Sequence, residues 1–441
     1  MLQLMDEDTT YNQALDYLYS FVDYSLKKSS ELAKADFNLD RMRALMAALE
    51  NPERQYAIIH VAGTKGKGST SALMASALSA AGYKTGLYTS PHLQDYVERI
   101  QIDGKPVSHA GLVEIVEEVK SAVESIPLLT TFEITTAIGL LYFAQQKVDV
   151  AVIEVGLGGR LDATNVVTPR VAVITSLSCD HMAVLGNTLT LIAGEKAGII
   201  KPGIPVVSAP QVDEAGAVLE KVSAERNAPL TTVGREVRFE TGAHTLDGQN
   251  LTLFTPQPLR LRIPLLGAHQ AVNAATAYTA LRASGLTISE EAVRKGFAEV
   301  SWPCRFEIVQ RHPPVILDSA HNPDSFEKLA QTLEDYFPGR PVILIFGSSE
   351  DKDMAGMLDK MKGKLSFLLA TKSIHPRATE TAKIIELANS LGVRAETAAS
   401  MDTALARALE LAADGDKIVV SAGSMFVTAE VKTAWQKLNK K

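Results

Sequence analysis

Cysteine is nearly absent from this chain. Cys179 and Cys304 are its only two among 441 residues, too few for a disulfide framework, so a secreted, disulfide-stapled scaffold is excluded and a reducing cytosol fits. Positive charge is not in surplus either. Lysine and arginine number 44 against 51 acidic residues, a net charge of −7. Such a balance cannot neutralise a polynucleotide, and it argues against nucleic acid as the main partner. The acidic opening MLQLMDEDTT lacks a basic start followed by an apolar core, so no signal peptide is expected. The apolar run at 137–144 is too short to cross a bilayer. Internal repeats and low-complexity tracts are also missing. What remains is 46% hydrophobic and 22% charged, the profile of a soluble globular protein with two or three domains. A cytoplasmic enzyme is the expectation.

Along the chain, residues 11–50 carry two helical patterns, and Ala35-Asp36-Phe37-Asn38-Leu39 is placed to cap the second. Short β-branched runs then alternate with longer helical ones. The clearest strands are Asp149–Val155, Val171–Thr175 and Val206–Ser208, and Thr85–Tyr88 is another short one. That alternation implies a parallel sheet covered on both faces. Residues 229–264 read as antiparallel hairpins. A linker is expected at Ser301–Arg305, followed by strands Val315–Asp318, Val342–Phe346, Phe367–Ala370 and Ile418–Ser421. The expected fold class is α/β: a P-loop-containing parallel-sheet ATPase domain over 1–300, then a smaller Rossmann-like domain over 301–441.

The most informative segment is YAIIHVAGTKGKGST at 56–70. A β-branched run enters Gly63-Thr64-Lys65-Gly66-Lys67-Gly68-Ser69-Thr70, and a helical pattern follows. Strand, glycine loop and helix are the context of a phosphate-binding loop, in which backbone N–H groups and the helix dipole receive a polyphosphate. Lys67 would reach the outer phosphates and Ser69 would help hold magnesium. A glycine-rich turn with a stray lysine is the plainer reading. Only two residues separate Gly63 from Gly66-Lys67, fewer than the usual four.

Other polar groups sit where strands end. Glu154 closes its apolar run and is positioned for a metal, or for a buried pair with Arg160. Gly156, Gly158 and Gly159 leave room for a ligand, and Asp162 adds a polar group in the same turn. Ser90 is a ligand or a turn residue. His181 is a metal ligand or a structural histidine. Lys196 lies in a small, apolar turn and reads equally as a solvated helix-end lysine. Asp318, followed by Ser319-Ala320-His321, again ends a strand, and together with Arg305 it suggests a nucleotide gripped by both domains.

Together these segments resemble the folylpolyglutamate synthase/dihydrofolate synthase family of the Mur ligase superfamily. The matching pieces are HVAGTKGKGST, YTSPHL, TTFEITTA, EVGLGGRLDATN, ITSLSCDH, EKAGII, RFE, LDSAHNP, SEDKD and ATKSIHPRA, in order from about residue 36 to 430. The resemblance implies an ATP-dependent amide ligase. A carboxylate becomes an acyl phosphate, which the amino group of L-glutamate then attacks. It further implies that Gly63, Thr64, Gly66, Lys67, Gly68, Ser69 and Thr70 cradle ATP and that Ser69, Ser90, Glu154 and His181 serve Mg2+. Lys196 would join them as a carbamate. Asn273, Arg305 and Asp318 match nucleotide positions. Thr130, Thr131, Phe132 and Glu133 match the pterin site, as do Leu161, Asp162 and Ala163. His321 and Ser424 would stand near the incoming glutamate. Cys304 occupies a position where that family usually has glycine, and Ser348-Ser349 stand where smaller or apolar residues are usual.

On this reading the substrates are ATP, L-glutamate and dihydropteroate or a reduced folate, with no membrane partner and a monomeric state. Both glutamylation activities are expected, because Asp36-Phe37 and LDATN suit a dihydropteroate pocket. Folylpolyglutamate synthesis alone is the near alternative. A peptidoglycan-precursor ligase would need more residues before the loop, and a nucleotide switch would leave Arg305, Lys196 and AHNP without shared purpose.

Overall fold

The computed structural model describes residues 7–23 and 37–439. Two compact units are present: Met1–Glu240 with Leu251–Arg262 and Val272–Val300, and Thr241–Asn250 with Ile263–Ala271 and Ser301–Lys441. The expected Asp36 lies outside the described residues.

The first unit is organised by an eight-stranded sheet: β1 (Ala57–Ala62), β2 (Thr85–Tyr88), β3 (Ile100–Ile102), β4 (Lys105–Pro106), β5 (Val150–Glu154), β6 (Val171–Ile174), β7 (Val206–Ser208) and β8 (Leu230–Thr232). Their order is β4-β3-β2-β5-β1-β6-β7-β8. From β2 through β8 every neighbouring pair is parallel, while β3 and β4 add an antiparallel edge. Strands β2, β5, β6 and β7 are buried at every residue, as expected of a parallel sheet covered on both faces. Residues 230–232 depart from the expected hairpins. They follow the helix Asp213–Glu225, a crossover, and so extend the parallel sheet. The hairpin expectation holds farther on, where β9 (Phe239–Thr245), β10 (Gly248–Leu253) and β11 (Leu259–Ile263) form a meander in the order β11-β10-β9.

The helix Lys67–Ala80 follows β1 and packs against the helix Glu290–Glu299 at backbone distance. A Cβ on Gly296 would stand 2.4 Å from Ala77 Cα, and Ser76 Oγ donates to Gly296 O at 2.7 Å. Gly296→Ala is therefore expected to destabilise the fold by about 2 kcal/mol, since backbone cannot yield as a side chain does. Chemical denaturation measures this, and a surface Gly→Ala change such as Gly216→Ala, whose Cβ meets nothing within 4 Å, is the control.

The second unit holds a six-stranded sheet: β12 (Glu307–Arg311), β13 (Pro314–Leu317), β14 (Val342–Phe346), β15 (Leu365–Ala370), β16 (Ala395–Thr397) and β17 (Ile418–Ala422), in the order β12-β13-β17-β14-β15-β16. All neighbours are parallel except β12 and β13. The sequence reading contains neither β12 nor β16. Both are edge strands, one half-exposed with charges and one of three residues, and neither has the apolar run that marks a buried strand. Phe326, Phe346, Leu344 and Val420 anchor this unit's core.

Candidate active site

Four segments converge at the carboxyl edge of β2, β5, β1 and β6, which are adjacent in the sheet. Ser90 follows β2, Glu154 ends β5, Gly63–Ser69 follows β1, and Ser176–His181 follows β6. This edge is where open parallel sheets bind ligands.

The loop's path is fixed by its glycines and by β6. Gly63 has φ 151° and Gly66 φ 88°. Their Cα atoms face the protein closely: an added Cβ would meet Thr175 Oγ1 at 1.8 Å and Asn273 Oδ1 at 2.2 Å, respectively. The predicted Asn273 thus sits over the loop although it is more than 200 positions along the chain. Thr64 N and Lys65 N both donate to Ser176 O at 3.0 Å, and Thr64 Oγ1 donates to Ser178 O at 3.1 Å. The helix then starts at Lys67 with Gly66 as its N-cap, which presents its unpaired N–H groups to a ligand. Ser69 and Thr70 lie buried in its first turn.

Three lysines surround this loop. Lys67 Nζ is 3.9 Å from Glu154 Oε1, and Lys65 Nζ is 3.0 Å from Asp180 Oδ2. Lys196 occupies the last turn of the helix Leu189–Ala197. It is 5% exposed, which excludes the solvated reading, and its Nζ donates to Gly63 O at 2.8 Å. Burial, then the Lys67 charge, push its amine down to about 7, while Asp180 and Asp162 partly oppose this and Lys65 adds to it. Arg160 makes its ion pair with Glu195, at 2.8 Å. The partnership offered for it with Glu154 is replaced. His181 has φ 50° and a side chain 47% exposed, with Nε2 4.0 Å from Asp180 Oδ1.

The residues expected at the acceptor also meet. Thr130 and Glu133 form a capping box at the start of the helix Thr131–Gln145, and Thr131 N donates to Val22 O. A Cβ on Gly156 would stand 2.5 Å from the Phe132 ring, so this helix start touches the turn containing Leu161, Asp162 and Ala163. Asp162 is buried and accepts from Leu157 N at 2.8 Å and Thr164 N at 3.0 Å. Arg41 Nε pairs with Glu133 Oε1 at 3.1 Å. Sequence reasoning missed Arg41, and it missed Lys65 as partner of Asp180; the signal for the latter was a second lysine inside the same loop.

Buried His60 in β1 lies behind this turn, with Nε2 2.9 Å from Thr164 Oγ1. Desolvation, then Lys201, push its pKa down to about 3. Between the ordinary value of 6.5 and 3 the unfolded chain holds a proton that the folded one does not. The resulting stability is present above pH 6.5 and is lost as pH falls toward 3. His60→Leu should remove about one proton from the uptake on unfolding near pH 5, measured from the pH dependence of denaturation midpoints.

In the second unit, Phe306 N and Ala320 N both donate to Asp318, each at 2.8 Å, while Ser319 N donates to Cys304 O. The Arg305 and Asp318 segments are thereby fastened together at the ends of β12 and β13. Cys304 keeps a left-handed backbone, φ 56°, despite its side chain. Its thiol is fully buried, and desolvation pushes it up to about 12, so it is unreactive. His321 Nδ1 lies 2.9 Å from Ser319 O. A carbonyl only accepts, so Nδ1 carries the proton and Nε2 is the basic nitrogen. Gly423 N donates to Ala320 O, which brings the His321 segment beside Ser424, the N-cap of the final helix.

A parallel sheet with this glycine loop, joined in one chain to a second doubly wound unit, defines a Mur-type ligase. The Mur ligase middle domain matches residues 61–281, and the Mur ligase glutamate ligase domain matches 304–425. The Bacillus subtilis dihydrofolate synthase/folylpolyglutamate synthase is 35% identical over 96% of this chain and 99% of its own. A Mycobacterium tuberculosis folylpolyglutamate synthase structure complexed with ADP has TM-score 0.88 at 35% identity, covering 97% of this chain and 98% of its own. An Escherichia coli FolC structure in complex with DHPP and ADP has TM-score 0.86 at 33% identity, over 99% and 100% of the two chains. The chain belongs to the folylpolyglutamate synthase/dihydrofolate synthase family. No helix among the described residues is long and apolar enough to cross a membrane.

Proposed function

We propose that this chain joins L-glutamate to dihydropteroate and to reduced folates at the expense of ATP, as a bifunctional ligase acting as a cytoplasmic monomer. The observation that carries the reading is the buried Lys196 amine, set 2.8 Å from the carbonyl of Gly63 at the head of a phosphate-binding loop. A P-loop switch has no need of such a lysine, whereas a ligase that must bring two anions together is served by a further magnesium ligand, which this amine would become as a carbamate. The functional division at residues 300 and 301 is proposed with it.

A carboxylate resists attack by an amine because oxide is a poor leaving group. One carboxylate oxygen of the acceptor therefore attacks the γ-phosphorus, the bond to the β-phosphate oxygen breaks, and ADP leaves. The amino nitrogen of glutamate then attacks the acyl carbon, loses a proton, and phosphate departs. Gly63, Thr64, Gly66, Gly68, Ser69 and Thr70 cradle the phosphates, with Lys67 on the transferring group, where charge moves in the transition state. Asn273, Arg305 and Asp318 hold the nucleotide. Phe37, Thr130–Glu133 and Leu161–Ala163 receive the pterin. Nε2 of His321 takes the glutamate proton, with Ser424 beside it.

Among the described residues no three His, Cys, Asp or Glu side chains gather into a metal group. Magnesium is a hard cation bound through one or two carboxylates, hydroxyls and the substrate's own phosphates. Ser69, Ser90, Glu154, His181 and Lys196 as carbamate would hold it, and its charge would offset phosphate repulsion.

ADP release should require both acceptor and L-glutamate, and both dihydropteroate and tetrahydrofolate should serve. Release independent of either substrate would point to a switch; activity with tetrahydrofolate alone would restrict the enzyme to folylpolyglutamate synthesis.

A further inference from the structure

Two segments with different proposed tasks are fastened together by groups that have none. One is the turn 156–165, which contains Leu161–Ala163. The other runs from Glu195 to Lys201 and contains Lys196. Their backbones touch: Arg160 N donates to Glu195 O at 2.8 Å. A Cβ on Gly198 would stand 2.4 Å from Arg160 Cα, and one on Gly159 would stand 2.9 Å from Glu195 O. Asn165 then ties them through its side chain. Its Nδ2 donates to Arg160 O at 2.9 Å and to Gly198 O at 3.2 Å, one carbonyl on each segment. Lys201 Nζ closes the tie by donating to Asn165 Oδ1 at 2.7 Å and Asn165 O at 3.0 Å. Asn165 is 6% exposed, so its amide has exchanged water for these partners.

We propose that Asn165 and Lys201 are positioning residues that hold the acceptor turn in register with Lys196, so that the acceptor carboxylate and the phosphate loop are aligned by one rigid piece. The proposal rests on the reading that Leu161–Ala163 touch the acceptor. Asp162 is fixed within its own turn by Leu157 N and Thr164 N. The Asn165–Lys201 tie is the buried part of what sets that turn against Lys196, beside the Arg160 N–Glu195 O bond and the half-exposed Arg160–Glu195 ion pair. A displacement of about 1 Å between reacting groups costs on the order of 100-fold in rate. Deleting the Asn165 amide leaves Arg160 O and Gly198 O without this donor and the Lys201 ammonium with only the Asn165 carbonyl, and the register of the two segments loosens.

Asn165→Ala and Lys201→Met in the full chain test this. The Lys201 variant keeps both Asn165 bonds to the two backbones, so it remains informative if the Asn165 variant does not fold. The readouts are KM for tetrahydrofolate, kcat, and Kd for the ATP analogue AMPPCP. In folded variants the acceptor KM should rise about tenfold and kcat should fall about tenfold, while the AMPPCP Kd stays within about twofold. A merely structural tie would lower the melting temperature and leave the acceptor KM unchanged within about twofold, and that result overturns the proposal. Parallel weakening of AMPPCP binding overturns it too. If the wild-type protein released ADP regardless of acceptor, the functional reading would fail and this alignment with it. An unchanged KM in variants of an acceptor-dependent enzyme would sink the alignment alone.

Discussion

Lys67→Ala should lower kcat by about 10³-fold or more while the protein stays folded and still binds ADP. The expectation follows from where charge moves. During transfer the γ-phosphoryl group separates from ADP, and negative charge grows on the bridging and equatorial oxygens. A fixed ammonium counts most there and counts less for the diphosphate ground state. The side chain lies beside Glu154 at 3.9 Å and is largely buried, 17% exposed, so its charge is only partly screened by water. Single-turnover kinetics, with circular dichroism and ADP titration as controls, separate lost chemistry from lost binding. A variant retaining near-normal turnover would show that the loop does not act on the transferring phosphate.

The second large effect belongs to Lys196. Carbamate formation joins a neutral amine to CO2 and releases a proton, so it needs the unprotonated form. At an ordinary lysine pKa roughly one amine in three thousand is neutral at pH 7. Here burial and the neighbouring Lys67 bring the pKa to about 7, so about half is. Lys196→Ala should lose at least about 100-fold in kcat, and short carboxylates such as acetate should restore part of it by supplying the missing anion. The sign with pH follows from the same shift. Below pH 7 the amine is protonated, so activity of the unmodified protein should fall as pH falls, and bicarbonate should oppose that fall. Absence of rescue in a folded variant counts against the carbamate.

Much of this was legible in the sequence because parallel strands buried on both faces are continuous apolar runs, and the polar residue that breaks each run marks its carboxyl end. Glu154, Asp318 and the loop after Val61 were found that way. Periodicity did not supply the partner of each charge. Arg160 turns to Glu195 rather than Glu154, and Lys65 reaches Asp180, because side-chain pairing depends on which loops the sheet order makes neighbours. The order β5-β1-β6 brings residues 63, 154 and 176 together across gaps of about a hundred positions, and local pattern carries no trace of that. Edge strands escaped for a related reason. Glu307–Arg311 is half-exposed and charged, so its pairing with β13 is a tertiary fact. Residues 230–232 took the parallel sheet because the helix before them supplies a crossover, while their composition suits a hairpin equally well.

The most direct test of the acyl-phosphate route follows oxygen. Tetrahydrofolate labelled with 18O in its reacting carboxylate would be turned over with ATP and L-glutamate, and the phosphate released would be weighed by mass spectrometry. One labelled oxygen per phosphate is expected, because that oxygen leaves carbon only as part of the phosphate group. Unlabelled phosphate released at the rate of amide formation would contradict phosphorylation of the acid and the mechanism built on it.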